Sequence, residues 1–126
     1  MSARPIAIVG SGAIGVAFAV LFARAGRTVA VFDIDDAALD RGRADVEARL
    51  RLLADAGLLD EEPPVVAERI GWHTDAVTAA RDAELVQECA PERADLKRDV
   101  LARFAAVAPE DAVLASARLA GRLDGE

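Results

Sequence analysis

The sequence predicts an α/β domain built on a doubly wound, mainly parallel sheet. Short apolar runs, several of them rich in β-branched residues, alternate with longer segments of helical periodicity. The first run, Ile6-Ala7-Ile8-Val9, passes directly into Gly10-Ser11-Gly12-Ala13-Ile14-Gly15 and then into an alanine-rich helical pattern. The second run stops at an acid, Asp33. A strand that is apolar at every position is buried on both faces, as central strands of a parallel sheet are.

Each element follows from local pattern. Residues 4–9 form the first predicted strand and residues 12–25 the first helix, with Ile14, Phe18, Leu21 and Phe22 spaced as one apolar face and Gly26 as the C-terminal cap. Residues 28–32 form the second strand. Asp35 or Asp36 can cap a long helix reaching Ala56 and closed by Gly57, with Leu39, Val46, Leu50 and Leu53 on one side. Pro63-Pro64 marks residues 58–64 as a loop. A short strand at 70–74, a short helix at 75–81 and a strand at 85–89 follow, the last ended by Pro91. A helix over 92–107 carries Leu96, Val100, Phe104 and Val107 on its apolar face, and residues 111–116 form one more strand.

At 126 residues with a net charge of −7, the chain reads as one acidic domain. That balance argues against a nucleic-acid partner, which calls for a basic footprint. Cys89 is the only cysteine and cannot form an internal disulfide, which suits a reducing cytoplasm. Residues 1–5 are too short for the charged and apolar regions of a signal peptide, and no apolar run approaches the ~20 residues that span a bilayer. The expected protein is cytoplasmic, with neither a membrane nor a nucleic acid as partner. No cluster of cysteine and histidine has metal-ligand spacing.

The strand, G-x-G-x-x-G and helix in that order are what a dinucleotide pyrophosphate needs. Gly10 permits the tight turn, Gly12 lets the backbone approach the phosphates, and Gly15 lets the helix pack on the sheet. The helix N-terminus, with Ala13 and Ile14 in its first turn, supplies N–H groups and positive potential without a charged side chain. Asp33, at the end of the second strand, can accept hydrogen bonds from both hydroxyls of an adenosine ribose. It would repel a 2′-phosphate, and no arginine at position 34 or 35 offsets that, so the expected cofactor is NAD rather than NADP. The same fingerprint also serves FAD. The alternative role for Asp33 is a turn aspartate that helps to cap the next helix.

The stretch Leu85-Val86-Gln87-Glu88-Cys89-Ala90-Pro91-Glu92-Arg93-Ala94-Asp95-Leu96-Lys97-Arg98 carries a resemblance. With the glycine loop, Asp33 and the long helix after it, this segment resembles the N-terminal NAD-binding, Rossmann-type domain of the 3-hydroxyacyl-CoA dehydrogenase family over roughly residues 5–116. The wording Gln87-Glu88-Cys89-Ala90-Pro91-Glu92 is nearest the branch containing L-gulonate 3-dehydrogenase and lambda-crystallin. The resemblance implies that Glu92 and Lys97 line the nicotinamide-side ribose; Lys97 is the only lysine among fifteen Lys and Arg residues. Their alternative role is an acid and a base on a solvated helix face. His73 stands beside Trp72, far in sequence from the family's catalytic region, and reads as a surface or packing residue. Cys89 reads as a buried strand residue rather than a nucleophile.

The resemblance departs after Ser116. The family continues into a Ser-x-Thr-Ser turn whose last serine helps hold substrate and the catalytic histidine; here Leu119 occupies that serine's position. The expected organisation is a NAD-binding domain over residues 1–116 and an atypical tail over 117–126. The family's helical C-terminal domain, which shapes the substrate site and makes the dimer, is expected to be absent, as in a truncated or frameshifted chain. The family chemistry is hydride transfer from a 3-hydroxyl of an acyl-CoA, L-gulonate or another 3-hydroxy acid to NAD. No catalytic residue is expected among these 126, so the chain alone is expected to bind NAD without turnover. The alternative from a different class is a non-catalytic NAD-binding or structural module.

Overall fold

The computed structural model describes residues 4–89 and 94–116. The order along the chain is β1 (Ile6–Val9), α1 (Ala13–Arg24), β2 (Val29–Phe32), α2 (Asp36–Asp55), α3 (Pro63–Ala67), β3 (Ile70–His73), α4 (Ala76–Ala80), β4 (Leu85–Glu88), α5 (Ala94–Val107) and β5 (Val113–Ser116). The sheet runs β3-β2-β1-β4-β5 with every neighbouring pair parallel. Ile6 stands opposite both Val29 and Leu85, Phe32 opposite His73, and Glu88 opposite Ser116. The chain moves outward from β1 to β3, then crosses to the far side of β1 for β4. This is the doubly wound topology, with its switch point between β1 and β4.

The alternation of side chains along each strand divides the core in two. Ile6, Ile8, Val29, Val31 and Ile70 pack with Val16, Ala19, Val20, Leu39, Val46, Leu50 and Val66 on the face covered by α1, α2 and α3. Ala7, Val9, Ala30, Phe32 and Val86 pack with Ala76, Ala79, Ala80 and Phe104 on the face covered by α4 and α5. Phe104 is fully buried and meets Phe32 edge-on, with ring centroids 5.3 Å apart. Burying a ring of that size contributes up to about 3 kcal/mol.

Turn chemistry closes the helices as their sequences require. Asp35 caps α2 by accepting from Ala37 N–H, and Asp75 caps α4 by accepting from Val77 and Thr78 N–H. Gly26 and Gly57, with φ of +92° and +74°, follow α1 and α2 in the left-handed conformation that a β-carbon disfavours. None of the helices among the described residues is long and apolar enough to cross a membrane.

Two expectations are corrected. The face of α1 turned to the sheet is not Ile14, Phe18, Leu21 and Phe22 but Gly15, Val16, Ala19, Val20 and Ala23. Ile14 and Leu21 are 44% and 55% exposed, while Phe18 and Phe22 stack on each other at the core's margin. A helix apolar nearly all round gives periodicity nothing to choose between, and the small-residue side wins because it allows the closest approach. The expected loop over 58–64 ends early, because α3 begins at Pro63. Proline at the first helical position starts a helix as readily as it breaks one, since its missing N–H would have had no helical partner.

Candidate functional site

The carboxyl ends of β1, β2 and β4 meet at one edge of the sheet. Gly10 N–H donates to Phe32 carbonyl (2.8 Å), Cys89 N–H to Val9 carbonyl (2.8 Å), and Asp33 N–H to His73 carbonyl (3.1 Å). Open α/β sheets take ligands in this crevice, above the switch point.

The three glycines of the loop answer to different constraints. Gly10 has φ +107°, which turns the chain sharply out of β1. A β-carbon on Gly15 would lie 1.9 Å from the Gly10 carbonyl oxygen, so close packing of α1 on the loop excludes any side chain there. Gly12 is under no such constraint: its φ is −76°, and a β-carbon there would meet no protein atom within 4 Å. It is the residue immediately before α1, and the first turn of that helix, Ala13 and Ile14 included, carries no acidic side chain. Nothing within the described protein requires Gly12 to be glycine. The open space adjoins the N-terminus of α1, where the first helical N–H groups favour an anion.

Asp33 is 3% exposed and sits one residue beyond β2. Its Oδ2 accepts from Ser11 N–H (3.1 Å) and Ser11 Oγ–H (2.9 Å), and its Oδ1 from Asp35 N–H (3.3 Å). Glycine loop, Asp33 and α2 together line a cavity of about 320 Å³, bounded by Ser11, Gly12, Ala13, Asp33, Arg41 and Asp45 among others. Gly10, Gly12, Ala13, Ile14, Gly15 and Asp33 are thus brought into one neighbourhood. Glu92 lies outside the described residues. Lys97 falls within α5, and its side chain is likewise outside the description.

Three residues that sequence reasoning passed over belong to this edge. Ser11 appeared only as a filler position of the motif, yet it is 4% exposed and holds Asp33. Arg41, eight positions beyond Asp33, is carried by α2 into the same cavity, although no arginine follows Asp33 closely in sequence. Glu88, the last residue of β4, is 1% exposed and accepts a hydrogen bond from Ser116 Oγ (2.7 Å). A lone acid inside a strand was the signal for it, since a buried carboxylate must be hydrogen-bonded.

His73 and Cys89 differ in position: His73 lies on β3, one strand removed from the crevice, whereas Cys89 follows β4 at its edge. The His73 ring folds back along β3, where its Nε2 would lie 2.9 Å from a β-carbon on Gly71. The strand that carries it is separated from the β1–β4 crevice by β2. Burial, with the Glu88 charge second, pushes the Cys89 thiol up to about 12, so it stays protonated and weakly nucleophilic near neutrality.

Comparison with known proteins places the chain in a family. Residues 5–118 match the family model described as 3-hydroxyacyl-CoA dehydrogenase, NAD binding domain. The chain is 39% identical over 120 residues to an L-carnitine dehydrogenase of Streptomyces coelicolor, covering 90% of this chain and 35% of that protein. It is 34% identical over 113 residues to the lambda-crystallin homolog of Bos taurus, covering 88% and 35%. Among solved structures it is similar to the (S)-3-hydroxybutyryl-CoA dehydrogenase of Ralstonia eutropha, with a TM-score of 0.81 and 32% identity over 91% of this chain and 41% of that one. The chain therefore spans about a third of the length of these curated relatives. On its motif, its sheet topology and the family match across almost all of its length, the chain belongs to the 3-hydroxyacyl-CoA dehydrogenase family as its NAD-binding domain.

Proposed function

We propose that the carboxyl edge of β1, β2 and β4 holds NAD for an oxidoreductase that removes hydride from a 3-hydroxyl. The observation that carries this reading is Gly12, a glycine that the described protein does not need, beside a helix N-terminus and next to the buried Asp33. In this reading the N–H groups of α1's first turn, at Ala13, Ile14 and Gly15, face the pyrophosphate and offset its charge. Gly10 turns the chain so that those groups face the crevice. Asp33 accepts hydrogen bonds from the adenosine ribose and rejects a 2′-phosphate. Arg41 walls the same cavity and is suited to stack on the adenine face. Glu92 and Lys97, which follow β4 in sequence, take the nicotinamide-side ribose, as the family resemblance implies. NAD, when bound, supplies the hydride acceptor; the domain's part is to bind and orient it.

The whole protein's substrate in this reading is a 3-hydroxy compound: an acyl-CoA of fatty-acid metabolism, or a small acid such as L-carnitine or L-gulonate. The similarity to an L-carnitine dehydrogenase supports the small-acid side. The full-length protein is read as a cytoplasmic dimer, and the single, buried Cys89 suits that compartment.

Isothermal calorimetry on the 126-residue chain tests the cofactor assignment. NAD or NADH is expected to bind at least tenfold more tightly than NADP or NADPH. Equal affinities would overturn the role given to Asp33.

A further inference from the structure

The structure assigns Ser11 a role that the glycine motif does not: it is a positioning residue that fixes the Asp33 carboxylate and thereby sets the choice between NAD and NADP. The inference rests on the proposed role of Asp33 at the adenosine ribose.

Ser11 grips a single atom twice. Its backbone N–H and its hydroxyl both donate to Asp33 Oδ2, at 3.1 and 2.9 Å. Both residues are almost fully buried, at 4% and 3% exposure, so solvent does not compete for these bonds. An aspartate carboxylate otherwise turns easily about its last torsion, which is broad and roughly two-fold. Two donors on Oδ2, together with Asp35 N–H on Oδ1 at 3.3 Å, restrict that freedom and hold the group's plane against the cavity that Asp33, Gly12, Ala13 and Arg41 line. The cost of ordering the carboxylate is then met in folding rather than in binding.

The loop that carries Ser11 is itself seated. Gly42, in the middle of α2, faces it so closely that a β-carbon would lie 3.0 Å from Ser11 carbonyl oxygen, 3.2 Å from Ser11 Cβ and 3.1 Å from the Trp72 ring. A glycine inside a helix costs about 1 kcal/mol relative to alanine, and here its missing side chain lets α2 press on Ser11. The chain Gly42–Ser11–Asp33 therefore runs from a helix interior to the group that meets the ribose.

A fixed carboxylate discriminates in both directions. It presents acceptors to two ribose hydroxyls at a set angle, and it keeps its charge where a 2′-phosphate would have to sit. Loosening it weakens NAD and relieves NADP at the same time, which a general loss of stability does not do.

The test is a double-mutant cycle in calorimetry with NAD and NADP, using Ser11→Ala, Asp33→Ala and the double variant. Ser11→Ala keeps the backbone N–H bond and removes only the hydroxyl. It is expected to lower the ratio of NADP to NAD dissociation constants by about three- to tenfold, the range of one net hydrogen bond. In the Asp33→Ala background the same change is expected to leave that ratio unaltered. An unchanged ratio in Ser11→Ala, with a fall in Asp33→Ala, overturns the inference and leaves the role of Asp33 standing. An equal effect of Ser11→Ala in both backgrounds means that Ser11 meets the dinucleotide directly, and overturns the positioning role. No fall in Asp33→Ala overturns the underlying reading itself. Ser11→Thr, which retains the hydroxyl, is expected to keep NAD preference wherever its thermal unfolding shows it folded.

Discussion

Ser116 Oγ donates to Glu88 Oε1 at 2.7 Å and joins the last residues of two neighbouring strands, β4 and β5, at the carboxyl edge of the sheet. Glu88 is 1% exposed, so the serine holds a carboxylate that water does not reach freely. Hydrogen bonds to charged groups contribute about 1.5–3 kcal/mol. Ser116→Ala is accordingly expected to lower the unfolding free energy by about that amount in urea titrations, with an unchanged slope. A midpoint equal to that of the unaltered chain would mean that other partners of Glu88 suffice.

The glycine loop separates folding from binding. Gly15→Ala drives a β-carbon into the Gly10 carbonyl, and overpacking of this kind costs about 1–3 kcal/mol or more. It is expected to lower the melting temperature by several degrees. A β-carbon at Gly12 would meet no protein atom within 4 Å, and Gly12→Val is expected to leave the circular dichroism spectrum and the melting temperature close to those of the unaltered chain while abolishing NAD binding. Retained affinity in a folded Gly12→Val protein would show that the loop is only a structural turn.

Acid should loosen the periphery before the core. The hydrogen bond from Arg4 holds the Asp111 carboxyl below its ordinary value of 3.8, that from Arg69 holds Glu61 below 4.5, and the Thr78 hydroxyl with backbone N–H groups holds Asp75 below 3.8. A carboxyl whose folded value is depressed contributes stability that is present above its unfolded value and lost as pH falls through the folded one. Stability is therefore expected to be level near neutrality and to decline below about pH 4.5. All three groups lie at the surface, so the decline is modest and smaller in high salt. Thermal unfolding between pH 7 and 3 at two salt concentrations measures it, and stability rising on acidification would contradict these pairings.

Binding without turnover is the expectation for the 126 residues assayed by themselves. His73 is the sequence's one imidazole, and its strand lies across β2 from the crevice; Cys89 keeps its proton. General acid–base assistance is worth about 10²–10⁴-fold. Incubation with NAD and 3-hydroxybutyryl-CoA, L-carnitine or L-gulonate is expected to give no growth of reduced-nicotinamide absorbance. Turnover at an ordinary enzyme rate would make His73 the first residue to substitute.

The sequence by itself determined the alternation of strands and helices, the parallel sheet, the turn at Gly10 and the position of Asp33 at the end of β2. These follow from short-range causes: apolar runs buried on both faces, caps such as Asp35 and Asp75, and glycines where φ is positive. Tertiary structure alone decided which side of α1 faces the sheet, because Ile14 and Leu21 are as apolar as Val16 and Val20 and only the closeness of packing separates them. It also decided that Ser11 grips Asp33 across 22 positions, that Gly42 makes room for it, and that Arg41 reaches the same cavity. Such pairings depend on how α2 is laid against the glycine loop. No periodicity records that distance, because it is set by the side chains missing between two elements and not by those present along either one.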